Sequence, residues 1–114
     1  MIDNAGSNVQ IGRQCDRATV VVGATEGAAE AIDVRHAAGL QMIVPAGADG
    51  QTIAVYVSDK IDGTFVPLND ADGAVTLAVV ASNAYDLAES LFGAHFVKFV
   101  GDGDAFTAIV LAKG

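Results

Sequence analysis

From residue 39 onward, apolar and polar positions alternate in short runs, and glycine–aspartate clusters interrupt the runs at close intervals. The clearest run is 51–58, where Ile53, Val55 and Val57 fall on one side and Thr52, Ala54, Tyr56 and Ser58 on the other. A period of two predicts a half-buried strand. Upstream, Thr19-Val20-Val21-Val22 opens the β region with β-branched residues in series. Leu40 to Val44 predicts a strand closed by Pro45, which has no amide hydrogen to give to a ladder. Thr64 to Leu68 predicts a short edge strand, because Pro67 lies within it. Val75, Leu77 and Val79 alternate with Thr76, Ala78 and Val80 to give another. Ala94 to Val100 and Ala105 to Ala112 predict the last two, with Gly101-Asp102-Gly103-Asp104 short enough for a tight hairpin between them.

Two segments read less simply. In Ala28 to Val34 the alanines favour a helix, but the segment is short and has no stop signal, so a strand over Ala31 to Arg35 is preferred. In Asn83 to Gly93, Asp86 is placed to cap a helical turn, Leu87-Ala88-Glu89-Ser90-Leu91, that Gly93 ends. Residues 1–17 are polar, glycine-containing and weakly periodic; they read as an N-terminal arm, either frayed or ordered on a partner, with 18–114 as the body. About eight strands with turns at these intervals predict an all-β fold, a single jelly-roll-like β-sandwich, although the same strands would also close as a barrel.

Length fits this picture: 114 residues make one domain, with enough chain for one core. Hydrophobic residues make up 52% of the chain, much of it alanine, and tryptophan is absent. The core is therefore expected to consist of small aliphatic side chains, with Phe65, Phe92, Phe96, Phe99 and Phe106 as its bulkiest members. Fourteen carboxylates against six Lys and Arg give a formal net charge of −8. Such a surface repels phosphate backbones, which argues against nucleic acid as a partner, and suits a basic docking surface. The one cysteine, Cys15, excludes an intrachain disulfide and a multi-cysteine metal site. It reads as a small buried or half-exposed thiol in preference to a reactive nucleophile. The first residues lack the basic and apolar regions of a signal peptide, and no apolar run reaches the ~18 residues of a membrane span. The expected setting is a cytoplasm, or a particle assembled in one.

Candidate chemistry is sparse. His36 and His95 share no metal-binding spacing and read as a loop residue and a polar residue on a strand face. Asn69-Asp70-Ala71-Asp72-Gly73 has the look of a calcium loop, but position 12 counted from Asp70 is Ala81, and from Asn69 is Val80, where an EF-hand needs glutamate. These residues read as turn formers; a looser calcium site drawn from Asp59, Asp62, Asp70 and Asp72 is the alternative. Asp102 and Asp104 read as a hairpin tip before an acid–base pair. Lys98, on an apolar strand, reads as an outward lysine that deters edge pairing or as one half of an interchain ion pair. No nucleophile elbow, P-loop or dinucleotide fingerprint occurs. No catalytic, cofactor-binding or metal residue is assigned, and a non-enzymatic role is expected.

The stretch Asp62-Gly63-Thr64-Phe65-Val66-Pro67-Leu68-Asn69-Asp70-Ala71-Asp72-Gly73 is followed by a strand, Ala84-Tyr85-Asp86-Leu87, Leu91-Phe92-Gly93-Ala94 and Phe96-Val97-Lys98-Phe99-Val100. This layout, over roughly residues 40 to 114, resembles small virion proteins of tailed bacteriophages, in particular capsid decoration or cement proteins with a β-sandwich body. The resemblance implies a homo-oligomer, a trimer in the favoured case, that binds the major capsid protein on the exterior of the head and braces neighbouring capsomers. It also implies a terminal arm that reaches onto the shell, here residues 1–17, with Ile2, Val9 and Ile11 as apolar anchors and Arg13 and Arg17 as basic contacts. A carbohydrate-binding module of a tail or spike, using a sheet face with Tyr56, is the alternative from another class. A head–tail connector or tail subunit is a third.

Overall fold

The computed structural model describes residues 15–113, apart from 36, 49, 88–90 and 92. The described chain is all-β and every strand pairing in it is antiparallel. In chain order the strands are β1 (Cys15–Val22), β2 (Ile32–Asp33), β3 (Gly39–Ile43), β4 (Gln51–Ser58), β5 (Val66–Pro67), β6 (Asn69–Asp70), β7 (Gly73–Ala74), β8 (Thr76–Val79), β9 (Ala84–Asp86), β10 (Phe96–Val100) and β11 (Phe106–Lys113). A 3-10 turn at Glu26–Ala28 follows β1; Thr25 opens it, its hydroxyl accepting from the Ala28 amide at 3.3 Å.

Four strands form one sheet in the order β1-β11-β3-β9. A second sheet runs β2-β10-β4-β5, with β8 also on β4. The long strand β4 serves both: Gln51 to Ala54 pair with β8, and Tyr56 and Val57 with β5. Alternation then decides what is buried. Val20, Met42, Ala108 and Val110 from the first sheet meet Ile53, Val55, Val97 and Phe99 from the second in a single apolar cluster. The arrangement is compatible with a β-sandwich.

The strands 51–58, 75–79 and the two near the C-terminus lie where alternation predicts them. The predicted hairpin between the last two does not form. β10 belongs to the second sheet and β11 to the first, so 101–104 carries the chain from one sheet to the other. The cause is a seam at Gly23. Its amide donates to the Phe99 carbonyl at 3.2 Å, and its own carbonyl accepts from the Gly101 amide at 2.9 Å. β10 therefore ends against β1 in a parallel bridge between Gly23 and Val100. A Cβ on Gly23 would lie 2.7 Å from the Ala28 carbonyl carbon, inside any real contact distance.

Gln51 holds the crossing from below. It is buried, and its amide nitrogen donates to the Asp104 carbonyl at 2.9 Å while its oxygen accepts from the Gly103 amide at 3.2 Å. The Asp102 carboxylate accepts from the Thr52 amide at 2.9 Å. Asp102 is thus a strut of the crossing, not a hairpin tip.

Other expectations change. Asp86 lies in β9, and its carboxylate accepts from the Gln41 side chain at 2.9 Å across the ladder; most of the helical turn expected after it, 88–90, lies outside the described residues. The preferred strand over Ala31 to Arg35 shrinks to two residues. Cys15 to Arg17 pair with β11, so the strand begins three residues inside the segment read as the arm. Phe99 is fully buried in the core, but Phe65 and Phe96 are buried outside it, on the far side of the second sheet. Phe92 lies outside the described residues. The stretch 69–73 forms its own two-strand ladder, β6 with β7; there the Asp70 carboxylate accepts from the Asp72 amide at 2.8 Å and Gly73 has φ +118°. Asp70 therefore has the expected turn role.

Replacing Gln51 with leucine removes two part-buried hydrogen bonds, to the Gly103 amide and the Asp104 carbonyl. The expected cost is about 1–3 kcal/mol in urea unfolding. Gly23→Ala forces the Ala28–Ala29 backbone to move and is expected to cost at least as much, about 1–3 kcal/mol. Wild-type stability in both variants would contradict the seam.

Candidate interaction surface

The outer faces of the two sheets differ. On the second sheet the outward residues Phe96 and Lys98 are covered by the protein itself and Tyr56 is half-buried, while Thr52, Thr76 and Ala78, towards β8, are exposed. Lys98 donates to the Glu26 carboxylate at 2.8 Å and to the Glu26 carbonyl at 3.2 Å. Its ammonium also lies 4.6 Å from the centre of the Phe65 ring, a cation–π distance. The Arg35 guanidinium sits 5.1 Å from the Phe96 ring centre and pairs with Asp33 at 2.7 Å. The Asp33 side chain, first through its hydrogen bond and then through its charge, raises the Arg35 pKa above its ordinary value. So Lys98 faces away from the core, as expected, but it is enclosed and not at an edge: its ion pair is within the chain, and β10 lies between β2 and β4.

The four-stranded sheet has no such cover among the described residues. Its inner face carries Val20, Leu40, Met42, Ala108 and Val110. By alternation the outer face carries Arg17, Thr19 and Val21 from β1, Thr107, Ile109 and Leu111 from β11, Gln41 and Ile43 from β3, and Ala84 and Asp86 from β9. The register sets these in rows across the strands. One row reads Thr19, Ile109, Ile43, Ala84; the next reads Arg17, Leu111, Gln41, Asp86. Val21 is 37% and Ile43 36% exposed. In a chain of net charge −8, the two rows contain one carboxylate, at one edge, and one guanidinium, at the other. An apolar centre with a charged rim is the layout of a docking surface.

Arg17 is the one predicted contact residue within the described chain, and it lies on this face, exposed. Ile2, Val9, Ile11 and Arg13 lie outside the described residues. The other face residues were not singled out from the sequence. The strand period places Thr19 with Val21, and Gln41 with Ile43, on common faces, but only the register shows that all of them share one surface.

The edge of β1 is partly closed. The Val21 amide donates to the Glu30 carboxylate at 3.0 Å, and the Val21 carbonyl accepts from the Glu30 amide at 3.1 Å. This blocks strand addition at the Val22 end, a usual defence of an exposed edge.

Elsewhere, a shallow groove of about 360 Å³ is bordered by Ser58, Asp59 and His95. The Ser58 hydroxyl accepts from the Lys60 amide at 3.2 Å, so it is committed to its own turn. His95 sits in a bend before β10, exposed, and not on a strand face. His36 lies outside the described residues. An apolar cavity of about 160 Å³ lies beside Leu77, Leu87, Leu91 and Phe99. Among the described residues no group of three or more His, Cys, Asp or Glu is placed to hold a metal ion. No described helix is long and apolar enough to cross a membrane. No protein-family model, curated protein or solved structure matches this chain.

Adjacent residues of β3 test the two faces. Met42 is fully buried and Ile43 is half exposed. Met42→Ala is expected to cost about 2–5 kcal/mol. Ile43→Thr keeps a β-branched side chain and is expected to change stability by less than about 0.5 kcal/mol in dilute protein. Urea unfolding of both variants checks this, and the reverse ranking would contradict the assignment of faces.

Proposed function

We propose that this chain is a non-enzymatic structural virion protein that binds the outside of a bacteriophage capsid and stabilises the head. The observation that carries the reading is a juxtaposition: residues 1–14 precede β1, the edge strand of the sheet whose outer face has no cover among the described residues. On this proposal the arm and the face beside its attachment contact the same partner. In this reading Ile2, Val9 and Ile11 anchor the arm, Arg13 and Arg17 bond carboxylates of the major capsid protein, and many copies sum weak contacts into firm binding. The virion exterior is the corresponding location.

We read the body as a jelly roll. Support comes from nesting: β1 pairs with β11, the last strand, and β2 with β10, the last but one. Jelly rolls recur in capsid and lectin domains, which makes this an argument by analogy of fold. The lectin-like alternative draws less support, because Tyr56 is half-buried, in register with Pro67 on one side and Lys98 on the other.

Co-sedimentation with expanded empty heads of the phage that encodes the chain tests the reading. The full chain is expected to saturate the heads. A chain lacking residues 1–14 keeps β1 and is expected to unfold at the same temperature while binding about tenfold more weakly. A full chain that ignores heads would overturn the reading; a truncated chain that still saturates them would remove the arm from it.

A further inference from the structure

We propose that the uncovered face of the four-stranded sheet is a self-association surface, covered by the same face of a second copy related by a two-fold axis parallel to the strands. This goes beyond capsid binding and concerns the free chain: the second copy takes Arg17 and the face that the capsid would otherwise meet, so the dimer and the capsid-bound form are alternative states of one surface.

The argument rests on how the face is laid out. Arg17 on β1 and Asp86 on β9 occupy opposite ends of one row, with Leu111 and Gln41 between them. Three strand spacings separate the ends, about 14 Å, so the two charges cannot meet within one chain. Consider two copies stacked face to face. A two-fold axis parallel to the strands, midway between β11 and β3, lays β1 of one copy over β9 of the other. Arg17 of each then opposes Asp86 of the other. In the neighbouring row Ile109 lies over Ile43, and Thr19 over Ala84. Apolar groups meet at the centre, and opposite charges meet at both rims.

The other in-plane axis, perpendicular to the strands, lays β1 over β1. It brings Arg17 towards Arg17 and Asp86 towards Asp86, which repels. The pattern of charge therefore selects one symmetry. Near-parallel stacking is also the ordinary way two twisted sheets pack face to face. An interface in which each copy presents the same patch closes at two copies. The trimer implied by the phage resemblance would need two different patches.

The size of the face sets the strength. Four strands, each with two or three outward residues, span about 19 Å by about 16 Å and offer on the order of 300 Å² per copy, below the roughly 800 Å² of a standard stable interface. Association is expected to be weak and concentration-dependent.

Sedimentation equilibrium of the free full chain, over a wide concentration range and without heads, reads the association directly. Wild type is expected to go from monomer to dimer. Arg17→Asp alone and Asp86→Arg alone each place like charges at both rims, and each is expected to weaken dimerisation about tenfold or more. In an equimolar mixture of the two variants every rim contact again pairs opposite charges, so heterodimers are expected at wild-type strength. Ile43→Glu, at the centre of the face, is expected to give a folded monomer, while Val80→Glu, at a more exposed position elsewhere, is expected to leave the dimer intact. Circular dichroism confirms that each variant is folded. A wild type that stays monomeric, a trimeric mass, or a mixture no stronger than its components would overturn the proposal. The head-binding experiment has its own readout, so either reading can fail alone.

Discussion

The two sheets are joined at a seam where no side chain fits. At Gly23 the chain leaves β1, and at Gly101 it leaves β10; the two backbones bond directly, Gly101 amide to Gly23 carbonyl. That contact fixes the ends of the two sheets against each other. It sends 101–104 across the gap to begin β11, and it places Gln51 beneath the crossing to pair with Gly103 and Asp104. The pairing of β11 between β1 and β3 follows from where it is delivered. A chain that could turn back at residue 101 would make a hairpin, and β1 and β3 would lose the strand that joins them.

With β11 in the middle, the four-stranded sheet becomes wide and regular, and its outer face is made mostly of small or β-branched side chains. The second sheet is built differently. Its outer face carries large aromatics and a lysine, and segments before and after it fold back to cover them: Glu26 onto Lys98, Phe65 beneath the same ammonium, Arg35 onto Phe96. Burying that charge beside an anion and an aromatic ring offsets its desolvation. The second sheet is closed by its own loops around β10, and the four-stranded sheet has no such cover among the described residues. Many of the described acidic residues lie in turns such as 69–73 and the crossing, and the two rows of the open face carry one, Asp86.

Much of the strand pattern was legible in the sequence because alternation is a local property. Ile53, Val55 and Val57 announce β4, and Val75, Leu77 and Val79 announce β8, without reference to any neighbour. The prolines were equally local signals, and Pro67 does lie on an edge strand. The crossing was not legible. Gly101-Asp102-Gly103-Asp104 has the composition of a hairpin turn, and only the distant partners Gly23 and Gln51 give it another use. Lys98 was legible only in part: its spacing gives the outward direction, while Glu26 and Phe65, which enclose it, are far away in sequence. For the interaction surface, Arg17 was visible as a basic residue near an arm. Its row-mates Leu111, Gln41 and Asp86 come from three other strands, and a row exists only once the register is known.

The central claim is that a second copy covers the outer face of the four-stranded sheet, whereas the second sheet covers its own Phe96 and Lys98. Methyl NMR with a soluble paramagnetic probe tests it most directly, comparing dilute with concentrated protein. The account predicts that the methyls of Val21, Ile43, Ile109 and Leu111 lose access to the probe as concentration rises, while those of Ile61, Val66 and Val80 keep it. Unchanged access at the first set, or loss confined to the second, would contradict it.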